Sequence, residues 1–284
     1  MRTLAFHQVD VFGHLPLKGN PLAVVVDADE LSDETMASFA NWTNLSETTF
    51  LLKPTVPGAD YRLRIFTPAG ELPFAGHPTL GSCQVWMNAK GAAGQSGIVQ
   101  QCNAGLVQIK REGDRLAFAA PPLQRSGEVD RATIQRLAIG LNITTEAIKA
   151  AQWVDNGPGW VAVLLSSRAE VLGLKPDYAA LAGQMLGVVA PWDPVRDGTD
   201  AQFEVRAFIP NLGIEDPVTG SLNAGLAQWL TSAGLAPNTY VASQGTVLGR
   251  AGRVYVEREG NNVWIGGQTR TFIEGRLDIG DLVR

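Results

Sequence analysis

Clustered cations, paired cysteines and long apolar runs are all scarce in this chain, and each shortage removes a class of function. Across 284 residues, 23 Lys and Arg face 28 Asp and Glu, giving a formal net charge of −5 with no Lys/Arg cluster. Binding to nucleic acid or to an anionic membrane surface needs a cationic face, so neither partner is expected. The N-terminus, Met1-Arg-Thr-Leu-Ala-Phe-His7, runs directly into a strand pattern without an apolar core. No signal peptide and no membrane span are expected, and the chain reads as cytoplasmic. The only cysteines, Cys83 and Cys102, form no C-x-x-C motif, as suits buried free thiols in a reducing compartment. His7, His14 and His77 show no pairing at helical spacing, so no metal site is expected.

What the chain does have is a repeated phrase. Glu71-Leu-Pro-Phe-Ala-Gly-His-Pro-Thr-Leu-Gly-Ser82 is echoed in Gly213-Ile-Glu-Asp-Pro-Val-Thr-Gly-Ser221. Strand-like stretches precede them, Arg64-Ile-Phe66-Thr-Pro68 and Arg206-Ala-Phe208-Ile-Pro210. Arg64 and Arg206 stand 142 positions apart, His77 and Asp216 stand 139 apart, and one three-residue indel reconciles the two offsets. Pro21-Leu-Ala-Val-Val25 and Trp160-Val-Ala-Val-Leu164 repeat the shorter offset. Such half-chain repetition points to two similar domains, and the length allows each its own core. Pro121-Pro122 is the natural boundary, because proline cannot continue a central strand. The expected domains are residues 1–121 and 122–284.

Each turn feeds a helical pattern, with Leu80, Cys83, Val85, Trp86 and Met87 after the first and Leu222, Leu226, Trp229 and Leu230 after the second. A helix start carries unpaired N–H groups and about half a positive charge, which suits an anion. Gly76, Gly81, Gly220 and Gly225 permit close approach, while Thr79, Ser82, Thr219 and Ser221 can cap or bond. Two helix starts, expected at 79–82 and 219–221, would hold a small carboxylate if they converge. An ordinary capped helix explains one copy equally well, but it does not call for a titratable side chain in both.

Elsewhere, 4–12 and 22–26 read as strands, with Asn20-Pro21 at a bend from which Asn20 can reach a cleft. Ser32 with Asp33 and Glu34 opens a helix whose apolar face is Met36, Phe39 and Ala40 and whose end lies near Asn44. Glu47 follows at a helix-to-strand junction, either solvated there or held in a cleft. Further strands are expected at 61–66, 98–101, 106–110, 116–119, 160–165 and 203–208, and helices at 130–139, 145–151 and 177–186. Short strands broken at glycines 245, 249, 252, 260 and 266 complete the chain. Arg64 and Arg206 suit structural ion pairs or contacts to an anion.

Asn44-Leu-Ser-Glu-Thr-Thr-Phe50, Phe66-Thr-Pro68, Glu71-Leu-Pro-Phe-Ala-Gly-His-Pro78 and Glu215-Asp-Pro-Val-Thr-Gly-Ser221 together resemble the PhzF-like phenazine-biosynthesis family, which shares the diaminopimelate epimerase fold. The resemblance implies an α+β architecture of two similar domains, each a curved mixed β-sheet around a central helix, with the site in the cleft between them. It also implies that the last strand, 275–284, returns to the first domain, and that the protein is a homodimer. Where epimerase relatives place a cysteine at each turn, this chain has His77 and Asp216. Glu47 matches the family's general acid/base position. The implied activity is cofactor-independent proton shuttling on a small, cyclic or aromatic-precursor carboxylic acid. The catalytic candidates are Glu47, His77 and Asp216, and the substrate-binding candidates are Asn20, Gly76, Pro78, Thr79, Thr219, Gly220 and Ser221. Bulky Pro217, Val218 and Leu222 at the second turn leave the substrate open. An amino acid racemase or epimerase and a non-catalytic metabolite-binding protein are the alternatives, the second disfavoured by the intact proton-transfer set.

Overall fold

A computed structural model describes residues 3–92 and 94–280. The chain forms a sheet-rich α+β fold with few helices, and it divides into two compact units, Met1–Ala119 with Gly266–Arg284, and Ala120–Ile265.

The first unit contains β1 (Thr3–Val11), β2 (Asn20–Val25), α1 (Asp33–Thr43), β3 (Glu47–Leu52), β4 (Tyr61–Thr67), β5 (Gly70–Leu72), α2 (Gly76–Lys90), β6 (Gly97–Cys102), β7 (Gly105–Glu112) and β8 (Arg115–Ala119). β4 pairs antiparallel with β3 and β5 and parallel with β6. Helix α1 starts where local chemistry dictates, with the Ser32 side chain accepting from Thr35 N–H at 3.2 Å. Asn44 ends it in the left-handed conformation at φ 54°. Helix α2 is buried along most of its length, as befits a helix at the centre of a sheet. A Cβ at Gly81 would stand 2.6 Å from Leu22 Cδ2, so glycine lets α2 lie this close to the strands without displacing that side chain.

The second unit contains β9 (Arg125–Glu128), α3 (Arg131–Leu141), β10 (Ala150–Asp155), β11 (Trp160–Leu164), α4 (Arg168–Gly173), β12 (Met185–Pro191), β13 (Phe203–Ile209), β14 (Ile214–Asp216), α5 (Gly220–Ser232), β15 (Thr239–Gln244) and β16 (Gly252–Glu259). Here β13 pairs antiparallel with β12 and β14 and parallel with β15, the same pattern as around β4. Helix α5 is again largely buried. The last strand, β17 (Asn262–Asp278), crosses the boundary of the two units after Ile265, and from Val11 back to Thr3 strand β1 pairs with its residues 269–278.

Several elements differ from the sequence expectation. Residues 145–151 are not a helix: a 3₁₀ turn at Thr145–Ala147 is followed by β10, whose pairing with β11 claims Ala150 and Ala151. Residues 177–186 are turns leading into β12, with Gly183 at φ 81° interrupting any helix. The C-terminal strands β15 and β16 are short and break at glycines 245, 249 and 260 as expected, but β17 runs unbroken through Gly266. Of the strand expected at 275–284, β17 covers the part up to Asp278, and 281–284 lie outside the described residues.

Candidate active site

In the first unit, the starts of β2, β3 and α2 bring Asn20, Glu47 and His77 together. His77 is the second residue of α2, and Glu47 opens β3 in register with Leu22 of β2. His77 Nε2 lies 3.2 Å from Glu47 Oε2, an ion-pair distance, although the two atoms are not aligned as a hydrogen bond. On the other side of the ring, Asn20 Nδ2 lies 3.3 Å from His77 Nδ1. An amide nitrogen only donates, so Nδ1 accepts and the ring proton sits on Nε2, facing Glu47. Burial pushes the imidazole pKa down to about 3, which keeps the ring neutral. The His77 side chain is sealed at 4% exposure, whereas Glu47 keeps 15%. A carboxylate with an opening to solvent beside a neutral, oriented imidazole can take up a proton and return it.

Helix α2 begins three residues earlier than expected. Thr79 N–H already bonds to Ala75 C=O at 3.2 Å, so the first-turn N–H groups are those of Gly76 and His77, Pro78 having none. Thr79 is fully buried, donating its hydroxyl to Ala75 C=O at 2.9 Å and accepting from Gln100 Nε2 at 3.0 Å. Cys83, in the same helix, has its thiol pushed up to about 12 by burial and is inert.

In the second unit, Asp216 ends β14 and Thr219 stands at the N-cap position of α5 without a capping bond from its side chain. Thr219 Oγ1 donates to Asp216 Oδ2 at 2.5 Å, and Thr219 N–H donates to Gln244 Oε1 at 3.0 Å. Ser221, the second residue of α5, accepts at its hydroxyl from Trp160 Nε1 at 3.0 Å and at its carbonyl from Asn156 Nδ2 at 2.8 Å. Gly220 opens the helix.

These contacts revise how the two phrases correspond. Arg64 makes a bidentate pair with Glu71, Nε to Oε1 and Nη2 to Oε2 both at 2.8 Å, and bonds Asp33 as well. Arg206 makes the same pair with Glu215 at 3.1 and 2.8 Å. Both arginines are therefore structural. Glu71 and Glu215, the helix starts Gly76 and Gly220, and the glycines Gly81 and Gly225 all stand 144 positions apart. This register matches His77 with Ser221 and Leu72 with Asp216, so His77 and Asp216 are not counterparts. It also matches the roles of the strand residues. Asn20, first in β2, contacts the second residue of α2, and Trp160, first in β11, contacts the second residue of α5. Gln100, Gln244, Asn156, Asn223 and Trp160 were absent from the sequence candidates. For the two glutamines the signal was present, since Gln100 and Gln244 also stand 144 apart.

The family model for phenazine biosynthesis-like proteins, PhzC-PhzF, matches residues 9–275. The chain belongs to this family. It is 34% identical to trans-2,3-dihydro-3-hydroxyanthranilate isomerase of Pseudomonas aeruginosa, covering 94% of this chain and 97% of that one. It is 37% identical to antisense-enhancing sequence 1 of Schizosaccharomyces pombe, covering 96% and 98%. Among solved structures, a PhzF-family phenazine biosynthesis protein of Enterococcus faecalis superposes with TM-score 0.79 at 28% identity, covering 98% of this chain and all of the other. A hydroxyproline epimerase of Agrobacterium vitis shares the fold, with TM-score 0.60 at 13% identity, 97% of this chain and 92% of that one being covered. This PhzF-family member is an isomerase, the reaction class of its named bacterial relatives. Among the described residues, no helix is long and apolar enough to cross a membrane.

Proposed function

We propose that this isomerase moves a proton between two carbons of a small, cyclic or aromatic-precursor carboxylic acid without a cofactor, and that Glu47 is the general acid/base. The observation that carries the reading is the contact of Glu47 with a neutral His77 whose proton-bearing nitrogen faces it. Glu47 as carboxylate removes a C–H proton next to a conjugated system, leaving a delocalised anion. It then returns that proton to another carbon, with no net oxidation or reduction. First-turn N–H groups of α2 hold the substrate carboxylate and stabilise the charge that develops. In the second unit, Asp216 and Ser221 are the groups suited to a substrate amine or hydroxyl. The dihydro-hydroxyanthranilate of the named relatives heads the substrate classes to test.

The shared strand pattern and the 144-residue register support descent of both units from one duplicated module. Homodimerisation and a cytoplasmic location complete the proposal. The second is supported by the unpaired, buried Cys83 and Cys102, and the first is checked by light scattering at micromolar concentration.

The decisive experiment incubates the protein with trans-2,3-dihydro-3-hydroxyanthranilate and a panel of cyclic carboxylates in heavy water and follows them by NMR. A hydrogen relocated to a second carbon, with the double bonds shifted, is the expected outcome. Exchange with inversion at a single carbon would replace isomerisation by racemisation, and an inert panel would count against the substrate class.

A further inference from the structure

We infer that Gln244 is a positioning residue: it aims the Thr219 hydroxyl at Asp216 and thereby keeps Asp216 a hydrogen-bond acceptor toward substrate. This rests on the proposal that Asp216 binds substrate. Gln244 ends β15 and is fully buried. Two backbone groups fix which way its amide faces. Thr219 N–H donates to Oε1 at 3.0 Å, and Nε2 donates to Asp216 C=O at 3.1 Å. The remaining positions are also used, with Oε1 accepting from Asn223 Nδ2 at 2.8 Å and Nε2 donating to Thr219 Oγ1 at 2.9 Å. All four hydrogen-bonding positions of the amide are then engaged.

The direction of the next bond follows. A hydroxyl has one proton, and Thr219 Oγ1 already accepts from Gln244, so its proton goes to Asp216 Oδ2, 2.5 Å away. That length is typical of a hydroxyl donating to a carboxylate. The first unit supplies a comparison. Gln100 donates to the Thr79 hydroxyl, but that hydroxyl donates to the Ala75 carbonyl, and Leu72 stands at the position matching Asp216. There the glutamine serves the start of a helix and accepts at Oε1 from the buried Tyr61 hydroxyl at 3.1 Å, with no carboxylate in the chain of bonds. In the second unit the matching glutamine reaches Thr219, which stands at the position of Ala75, and that hydroxyl carries a carboxylate, fixed in orientation and set to receive hydrogen bonds. A substrate ammonium or hydroxyl is favoured at Asp216, and a group that can only accept is rejected.

Neutron diffraction from deuterium-exchanged crystals reads the Thr219 hydroxyl without any substrate. The expected deuteron lies between Oγ1 and Asp216 Oδ2, bonded to Oγ1. A deuteron bonded to Asp216, or a hydroxyl turned elsewhere, overturns the inference whether or not a substrate has been found. Kinetics supply the second arm, using Gln244→Met, Thr219→Val and the double variant with a substrate bearing an amine or hydroxyl. If Gln244 acts through the hydroxyl, each single variant lowers kcat about tenfold and the double variant is no slower than Thr219→Val alone. Thr219→Ser, which keeps the hydroxyl, retains more activity than Thr219→Val. If the losses multiply instead, Gln244 is a support for α5 and the inference fails. Should Gln244→Met not fold, the neutron result and the Thr219 pair still decide. Turnover failing in the parent while the neutron result holds would sink only the functional proposal.

Discussion

Asn20 and His77 together determine which ring nitrogen faces Glu47. The amide nitrogen of Asn20 lies 3.3 Å from Nδ1, which makes Nδ1 the acceptor and leaves the proton on Nε2. Replacing the amide by a carboxylate, Asn20→Asp, supplies an acceptor where a donor stood and draws the proton to Nδ1. Nitrogen-15 NMR of histidine-labelled protein has only three rings to resolve, and His77→Asn assigns the relevant one. The expected spectra show an Nε2–H ring in the parent and an Nδ1–H ring in Asn20→Asp, whose turnover falls by about a hundredfold. An Nδ1–H ring in the parent would reverse the assignment.

Glu47→Gln keeps the size of the side chain and removes its capacity to exchange a proton. Because this side chain remains partly open to solvent, the thermal midpoint should stay close to that of the parent. Turnover on any identified substrate should drop by roughly 10²- to 10⁴-fold with little change in ligand affinity. Turnover near the parent rate would remove Glu47 from the mechanism.

The buried imidazole makes stability depend on pH. His77 is held at about 3 in the folded chain, against 6.5 when exposed. As pH falls from the upper value toward the lower, the unfolded chain takes up a proton that the folded chain refuses, so stability is lost across that window. A charge on Glu47, 3.2 Å away, favours the charged ring and reduces the loss. The contribution should therefore be at most a few kcal/mol, on the scale of about 1.4 kcal/mol per pKa unit. Urea unfolding of parent and His77→Asn at about pH 7 and about pH 4.5 measures it, the two values lying on either side of the free histidine pKa. Equal losses in both proteins would show that His77 contributes nothing.

Alanine normally stabilises a helix interior relative to glycine by about 1 kcal/mol. Gly225 of α5 should reverse that sign. A Cβ there would stand 2.2 Å from the Val154 carbonyl oxygen, and a backbone atom within a strand cannot move aside cheaply. At Gly81 the obstacles are the Leu22 and Val11 side chains at 2.6 and 2.9 Å, which can adjust. Gly225→Ala should cost about 2 kcal/mol or more in chemical denaturation, and Gly81→Ala less. The reverse order would mean that the strand yields more readily than the side chains.

Features legible in the sequence were those whose causes are local. Ser32, the acidic first turn and Asn44 bound α1 by backbone capping alone, and the arginines on matched strands form ion pairs with nearby glutamates. The register of the repeat was harder to read. Aligning on the strands and the final Gly-Ser made His77 and Asp216 partners, whereas the pattern E-x-P-x-x-G-x-x-x-x-G, anchored by the ion pairs and helix starts, makes His77 and Ser221 partners. The stretch at 177–186 contains good helix formers, but Leu181 fills the space that a side chain at Gly140 would need, and β11 recruits the residues from Met185 onward. Neither influence lies within the window that periodicity surveys. The contact of Asn20, Glu47 and His77 was likewise invisible to spacing, because it joins the starts of three separate elements.

The path of β17 has a consequence for how the protein is made. Residues 120–265 form a continuous stretch that emerges from the ribosome as a complete unit. Strand β1 is synthesised well before its partner residues 269–278, with the whole second unit between them. Until those residues emerge, one edge of β1 has its pairing groups unanswered, and such an edge is what a neighbouring chain can capture. The first unit closes only after residues 269–278 have emerged, so a product stopped before Gly266 would carry a finished second unit and a first unit with an open strand.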